Sequence, residues 1–371
     1  MSSNKQISES LAEAGRMMTI CNACRYCEGH CAVFPAMELR LDFAAADLKY
    51  LANLCHNCGS CFHHCQYAPP HEFNVNLPKA LAEVRAETYK SYAWPGFLAG
   101  LFERNGLIAG ILTAVSLALV MVLTFALVDP AVLSAAHTGD GAFYAIIPHG
   151  VMAYGFGGVS LYVALALLMG FRNFWVEMRE LDPAPSGVAA FGRALLDVLT
   201  MQNLAGGGDG CTYPGETPSH ARRWFHQLTF YGFSLCFAAT SVATVYHYAF
   251  GWPAPYAWTS LPVLLGTVGG VGLLIGPVGL LWLRHRATVE TPETADPPRF
   301  GMDASFIVLL FLTSLTGLLL LALRETPAMG LLLAIHLGVV LGLFVTLPYG
   351  KFVHAIYRLA ALIRNAAEAA R

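Results

Sequence analysis

From Gly106 onward the chain is apolar in blocks. About 20 apolar residues in a helix span the ~30 Å hydrocarbon core of a bilayer. Six stretches meet that length, at about 107–128, 146–170, 226–250, 261–283, 304–323 and 329–349. The fourth is rich in Gly and Pro and the sixth ends at Pro348; membrane helices tolerate both where neighbours satisfy the freed backbone groups. Residues 1–95 follow a different pattern, polar and dense in Cys. Within them Pro78–Tyr92 has helical periodicity, with Leu77, Leu81 and Val84 on one face and Lys79, Glu83 and Arg85 elsewhere. Trp94, Phe97 and Phe102 follow where an interfacial aromatic belt is expected. This segment is expected to lay the N-terminal part against the bilayer. The pattern predicts a mainly α fold in two domains: a helical cytoplasmic domain over 1–95 and a polytopic membrane domain of about six spans over 96–371.

Charge sets the orientation. The loop 171–225 carries Arg172, Arg179, Arg193, Arg222 and Arg223, and the loop 284–303 carries Arg284, Arg286 and Arg299. The C-terminal tail carries Lys351, Arg358, Arg364 and Arg371. The opposite loops, 129–145 and 251–260, have no Lys or Arg, and 324–328 has only Arg324. The positive-inside rule therefore puts both termini in the cytoplasm. Charged residues make up 12% of the chain and apolar residues 56%, as in a polytopic membrane protein. A net charge of −2 argues against a nucleic-acid partner. The first twenty residues are polar and mixed in charge (Asn4, Lys5, Glu9, Glu13, Arg16), without the apolar run of an export signal.

Eight of the ten cysteines fall into two copies of one pattern. Cys21, Cys24, Cys27 and Cys31 read C-x2-C-x2-C-x3-C, and so do Cys55, Cys58, Cys61 and Cys65. That is the spacing of a chain with two [4Fe–4S] clusters, in which the fourth Cys of each run ligates the other cluster. Cys21, Cys24 and Cys27 are expected to hold one cluster with Cys65; Cys55, Cys58 and Cys61 are expected to hold the second with Cys31. A zinc site has no use for the third Cys of each run, and a disulfide framework needs an oxidising compartment. His56, His63, His64 and His71 crowd the second run and are expected to tune the clusters rather than replace a thiolate. Gly206, Gly207, Gly208, Asp209, Gly210 and Cys211 lack the spacing and strand–helix context of a phosphate loop. They read as a tight cytoplasmic turn near the cluster domain or a haem edge. Cys211 and Cys236 are read as inert.

Ionisable residues in spans mark function, and neutral imidazole is a good axial ligand for haem iron. His226 and His247 stand 21 residues apart, ~32 Å along a helix. His336 and His354 stand 18 apart, ~27 Å and five full turns on one face if the helix continues. The depths match in pairs: His226 with His354 near the cytoplasm, and His247 with His336 near the outer face. One or two b haems follow as the expectation. His149 is a substitute ligand on the outer side, and His137, His220 and His285 are read as solvated loop residues.

With these residues in view, the chain resembles the CitB, or tricarballylate-utilisation protein B, family over nearly its whole length. The resemblance rests on CNACRYCEGHC, CHNCGSCFHHC, GGGDGCTYP, HQLTFYGFSLCFAATSVATVYHY and LPYGKFVHAIYR. It implies a helical-ferredoxin-like cluster domain and a membrane part similar to the cytochrome b subunit of nitrate reductase. It also implies a protein of the bacterial inner membrane that reoxidises a cytoplasmic FAD-dependent tricarballylate (or related tricarboxylate) dehydrogenase and passes the electrons to quinone. Ordinary bacterial ferredoxins have Pro after the fourth Cys, whereas Ala32 and Gln66 stand here, with Pro35 and Pro69 further on. The chain has no flavin or nicotinamide fingerprint and is expected to oxidise no carbon substrate by itself. The rival readings are a quinol-oxidising subunit that feeds a heterodisulfide-reductase-like enzyme, a cluster-based redox sensor, and a tricarboxylate transporter. The last lacks an evident inverted repeat and has few cationic residues in its spans.

Overall fold

The computed structural model describes residues 8–100, 104–179, 181, 187–287 and 301–370. Asn4, Lys5, Phe102, Arg299 and Arg371, used above, lie outside them. Helix α1 (Glu9–Cys24) starts where the Ser8 side chain accepts the Leu11 N–H, satisfying a free donor of the first turn. It stops at Arg25, which takes the left-handed conformation and delivers the chain into the first cysteine loop. Then come α2 (Val33–Glu38), α3 (Ala45–Leu54), α4 (Ser60–His63) and α5 (Leu77–Tyr92). Asn76 caps α5, and Pro78 sits in its first turn, where its missing N–H costs nothing.

The apolar face of α5 is not laid on lipid. Leu77, Leu81 and Val84 are at most 4% exposed and belong to a core shared with α1 and α3. The short helices around the cysteine loops have little else to pack on. Arg85, expected on the polar face, is itself buried and donates to the carbonyls of Ala52 and Cys55 at 3.1 and 3.0 Å.

After the short α6 (Gly96–Ala99) come six helices long and apolar enough to cross a membrane: α7 (Asn105–Leu127), then, beyond the short α8 (Pro130–Leu133), α9 (His149–Arg179), and, beyond α10 (Val188–Thr200), α11 (Ala221–Phe250), α12 (Leu261–His285), α13 (Met302–Leu323) and α14 (Met329–Thr346). On α7 the residues Leu107, Ile111, Val115, Leu119 and Val122 form an exposed apolar stripe, a surface compatible with lipid. The Gly-rich fourth span has a packing reason. A Cβ on Gly232 of α11 would sit 2.8 Å from the Gly269 carbonyl of α12, and one on Gly269 would sit 2.7 Å from the Gly232 carbonyl. Small residues let membrane helices meet backbone to backbone.

The last span does not run on to His354. Pro348 and an extended Gly350 (φ −105°, ψ −169°) break the chain after α14, and a separate helix, α15 (Val353–Glu368), begins. His336 and His354 therefore do not share a helix face as the 18-residue spacing predicted. Helix α15 completes the N-terminal core: Tyr357, Ala360, Ala361 and Leu362 pack with α3, α5 and the inner end of α9. The expected boundary near residue 95 is thus crossed by one continuous core. Buried charges tie the joint. Glu368 receives Arg40 at 2.7 Å, Arg364 at 2.8 Å and the Tyr50 hydroxyl at 3.1 Å, and Arg40 also reaches Asp47 at 2.5 Å. Among the described residues no strand forms; Cys211 and Ser219 make an isolated antiparallel bridge.

Candidate redox-cofactor sites

The structure gathers the cysteines into two adjoining cavities. The first, of about 360 Å3, is lined by Cys21, Cys24, Cys27 and Cys65, together with Cys61. The second, of about 20 Å3, is lined by Cys31, Cys55, Cys58 and Cys61. Cys61 borders both, so the two sites are neighbours. Each grouping is the one that exchange of the fourth Cys between runs requires. Among the described residues no three His, Cys, Asp or Glu converge as they would on one metal ion; a cubane holds its thiolates farther apart, around four irons. The residues present fit such clusters.

The two sets differ electrostatically. Burial first, then the neighbouring sulfurs led by Cys65, push the Cys21 and Cys27 thiols up to about 12. Such thiols stay protonated at neutral pH until a cation takes the proton's place. A hydrogen bond from Cys211, opposed by burial and aided by the Ser60 N–H, pulls Cys58 down to about 6. The N–H groups of Val33 and Phe34, at the start of α2, donate to the Cys31 sulfur. The Asn57 N–H donates to Cys55 at 3.4 Å.

Three arginines clasp the second cysteine loop by its carbonyls. Arg85 and Arg358 reach the Cys55 oxygen at 3.0 and 2.7 Å, and Arg222 reaches that of Asn57. Arg222 lies one turn before His226 on α11, and Arg358 one turn after His354 on α15. The same two helix ends therefore carry a histidine and the arginine that grips the cysteine loop. The rings of His226 and His354 have centroids 6.1 Å apart and planes at 82°. Two imidazoles on one iron, each bonded at ~2 Å, have centres about 6 Å apart. His226 Nδ1 is buried without a partner. His354 Nδ1 donates to the Lys351 carbonyl at 2.5 Å, which leaves Nε2 as the ligand atom. Burial, then the Arg358 and Lys351 charges, hold His354 well below the ordinary imidazole range, in the neutral form that binds iron. This pair fits a haem. His56, which follows Cys55, has its Nδ1 on the Leu54 carbonyl at 2.8 Å and lies among Arg358, Arg222 and His226.

His247 and His336 are arranged otherwise. The His247 ring is stacked on that of His149, 3.6 Å between centroids and 14° between planes, with the Tyr144 hydroxyl 3.4 Å from His247 Nδ1. His336 instead turns to α13, its Nδ1 3.0 Å from the Thr316 hydroxyl. Stacked rings direct their nitrogen lone pairs within parallel planes rather than at a common iron, so this group does not fit a bis-imidazole haem. Of the remaining histidines, His64 binds the Ser60 carbonyl at 2.8 Å and lines the first cavity with His63. His71 Nδ1 accepts the Phe73 N–H, His137 binds the Val132 carbonyl, and His220 and His285 sit at the ends of α11 and α12.

Sequence reasoning missed the three arginines and Cys211. Two of the arginines had a signal, since Arg222 and Arg358 each stand four residues from a histidine, His226 and His354. Cys211 had only its place at the end of the glycine run. Cys236 points to the Gly266 carbonyl at the α11–α12 contact.

A family profile described as "Citrate utilization protein B" matches residues 102–371, and one described as "Citrate utilization protein B Fer4-like domain" matches residues 14–91. A curated Escherichia coli protein named "Citrate utilization protein B" is 50% identical over 368 residues, covering 99% of this chain and 95% of that protein. No solved structure matches.

Proposed function

Since the chain belongs to the citrate utilization protein B family, we propose that it carries electrons from a cytoplasmic flavoprotein, a dehydrogenase of tricarballylate or a related tricarboxylate, to membrane quinone. The cluster domain and both termini face the cytoplasm of a bacterial inner membrane. Cys21, Cys24, Cys27 and Cys65 hold one [4Fe–4S] cluster. Cys31, Cys55, Cys58 and Cys61 hold the second, and His226 with His354 hold one b haem. When bound, these groups supply one-electron carriers. The partner's reduced flavin gives up two electrons, singly, and two protons; quinone takes up two of each.

The chain's own residues do the positioning. Arg222 and Arg358 fix the 55–57 loop against the two histidine-bearing helix ends, so that the second cysteine set and the His pair keep one distance. The Lys351 carbonyl orients His354. The buried core of α3, α5 and α15 excludes water between the two sites. The first cysteine set is the more open, with Tyr26 at its rim 69% exposed, and serves as the entry for the flavoprotein. The single observation that carries this reading is the continuous run of sites: two cysteine cavities sharing Cys61, joined through Arg222, Arg358 and His56 to a His pair at ligand spacing.

The test is composition and reduction together. Protein purified anaerobically in detergent should hold about eight irons in clusters and one haem by pyridine haemochrome. Dithionite-reduced protein should pass electrons to a soluble quinone analogue. A chain without haem, or haem that stays reduced when quinone is added, would overturn it.

A further inference from the structure

The glycine run and the residues just after it touch both cysteine loops backbone to backbone. A Cβ on Gly59 would meet the Thr212 carbonyl oxygen at 2.5 Å, and one on Gly207 would meet the Gly29 carbonyl at 3.1 Å. Both glycines have positive φ, 81° and 85°, where a side chain is strained as well as crowded. The bridge to Ser219, with hydrogen bonds of 3.0 and 2.9 Å, fixes Cys211 just ahead of α11. Cys211 is fully buried, in a cluster with Cys58, Met201 and Leu204.

Its single S–H has two acceptors in reach, the Leu204 carbonyl at 3.0 Å and the Cys58 sulfur. A charged thiolate is the stronger acceptor, so with Cys58 ligating iron the proton turns to sulfur. Donors therefore crowd one set: Cys211 and the Ser60 N–H on Cys58, Val33 and Phe34 on Cys31, and Asn57 on Cys55. On the first set the corresponding contact among the described residues is Gln66 Nε2 to Cys24, at 3.9 Å. Hydrogen bonds to cluster sulfur are a main determinant of reduction potential. They favour the reduced state because it carries the extra negative charge.

We propose that Cys211, held over the second site by the glycine run, donates to Cys58 and, with the neighbouring N–H groups, sets the second cluster at a more positive potential than the first. One electron arriving at the first cluster reduces it, and the first cluster is reoxidised as it passes that electron to the second, downhill toward the His pair. The inference rests on the two-cluster reading above. Cys211 is a positioning residue here, not a ligand.

The experiment is an EPR-monitored redox titration of the full chain in detergent. The signal that Cys24→Ser perturbs is assigned to the first cluster. In the wild type the other signal should appear at the higher potential. Cys211→Ala should lower the second midpoint by at least a tenfold change in the reduction equilibrium, about 59 mV for one electron. The first midpoint and the iron content should stay unchanged. Cys211→Ser, whose hydroxyl still donates, should shift the second midpoint less. An unmoved second midpoint in Cys211→Ala, a second cluster lower than the first in the wild type, or loss of iron in Cys211→Ala would each overturn the proposal. Failure of the underlying reading looks different: the wild type itself would lack two cluster signals.

Discussion

Glu368→Ala tests whether the C-terminal helix is a structural part of the cluster domain. The Glu368 carboxylate, with its side chain 7% exposed, is shared by Arg40 and Arg364, whose side chains are 9% and 7% exposed. Removing it strands two buried cations, and breaking a buried ion pair from one side costs about 3–5 kcal/mol. Arg40 keeps Asp47, and Arg364 keeps the Met178 carbonyl, so the lower end, ~3 kcal/mol, applies. At about 1.4 kcal/mol per tenfold, α15 should undock roughly a hundredfold more often. Hydrogen exchange reads this directly, because amides of 356–364 exchange through that opening. Expected is exchange about a hundredfold faster in α15 and in the facing part of α3, with α12 and α13 unchanged. A triple replacement by apolar residues, Glu368→Leu with Arg40→Met and Arg364→Met, should recover part of the protection: an apolar joint of similar volume is often as stable as the ion network, and Asp47, which loses Arg40, keeps the Ala44 N–H. Exchange within threefold of wild type in Glu368→Ala would refute the reasoning, and so would a triple variant as loose as the single one.

Two further outcomes follow from the geometry. His354→Ala should abolish haem binding while iron per chain stays constant, whereas His149→Ala should keep the haem; pyridine haemochrome and iron assay distinguish them, and haem retained in His354→Ala would move the ligand elsewhere. Gly232→Val puts its Cβ 2.8 Å from the Gly269 carbonyl, so it should separate α11 from α12 and lower the thermal midpoint in detergent, while Gly157→Val, whose Cβ meets nothing within 4 Å, should leave that midpoint within error.

The spans were legible because hydropathy over about 20 residues is what a bilayer selects. Their ends were not. Helix α9 runs to Arg179 and α11 starts at Ala221, because charge ends a membrane span without ending a helix. The spacing of the cysteines anticipated that Cys65 lines the first cavity with Cys21, Cys24 and Cys27, and that Cys31 lines the second with Cys55, Cys58 and Cys61. Helix α5 shows the opposite limit: an amphipathic pattern says that one face is covered but not by what, and here protein covers it. His149 stands beside His247 because the start of α9 and the end of α11 meet ring on ring, a distance that neither segment encodes separately. His336 and His354 looked like one helix face until Pro348 and Gly350 divided them.

The placement of Arg222 and Arg358 explains why a soluble-type cysteine domain and a helical bundle have a shared core rather than a linker. A transfer path tolerates little variation in the gap between its carriers, and a joint of two domains on a flexible tether would vary by many ångströms. Here the gap is set twice. His226 and His354 each share a helix with an arginine one turn away, and each arginine ends on a carbonyl of the second cysteine loop. Tilting either helix would therefore move the loop with the histidine. The closure of α15 on α3 and α5 then holds Arg358 from behind, so that Glu368, at the opposite end of α15 from His354, bears on the same gap. Arg358→Ala separates these roles: it removes the bond from α15 to the Cys55 carbonyl, which Arg85 still holds from α5, while leaving His354, Glu368 and the core in place. Haem and iron contents should remain, and electron passage from the clusters to the haem, followed by stopped-flow after reduction of the clusters, should slow. Transfer at the wild-type rate would mean that the core alone sets the gap and that the arginine clasp is dispensable.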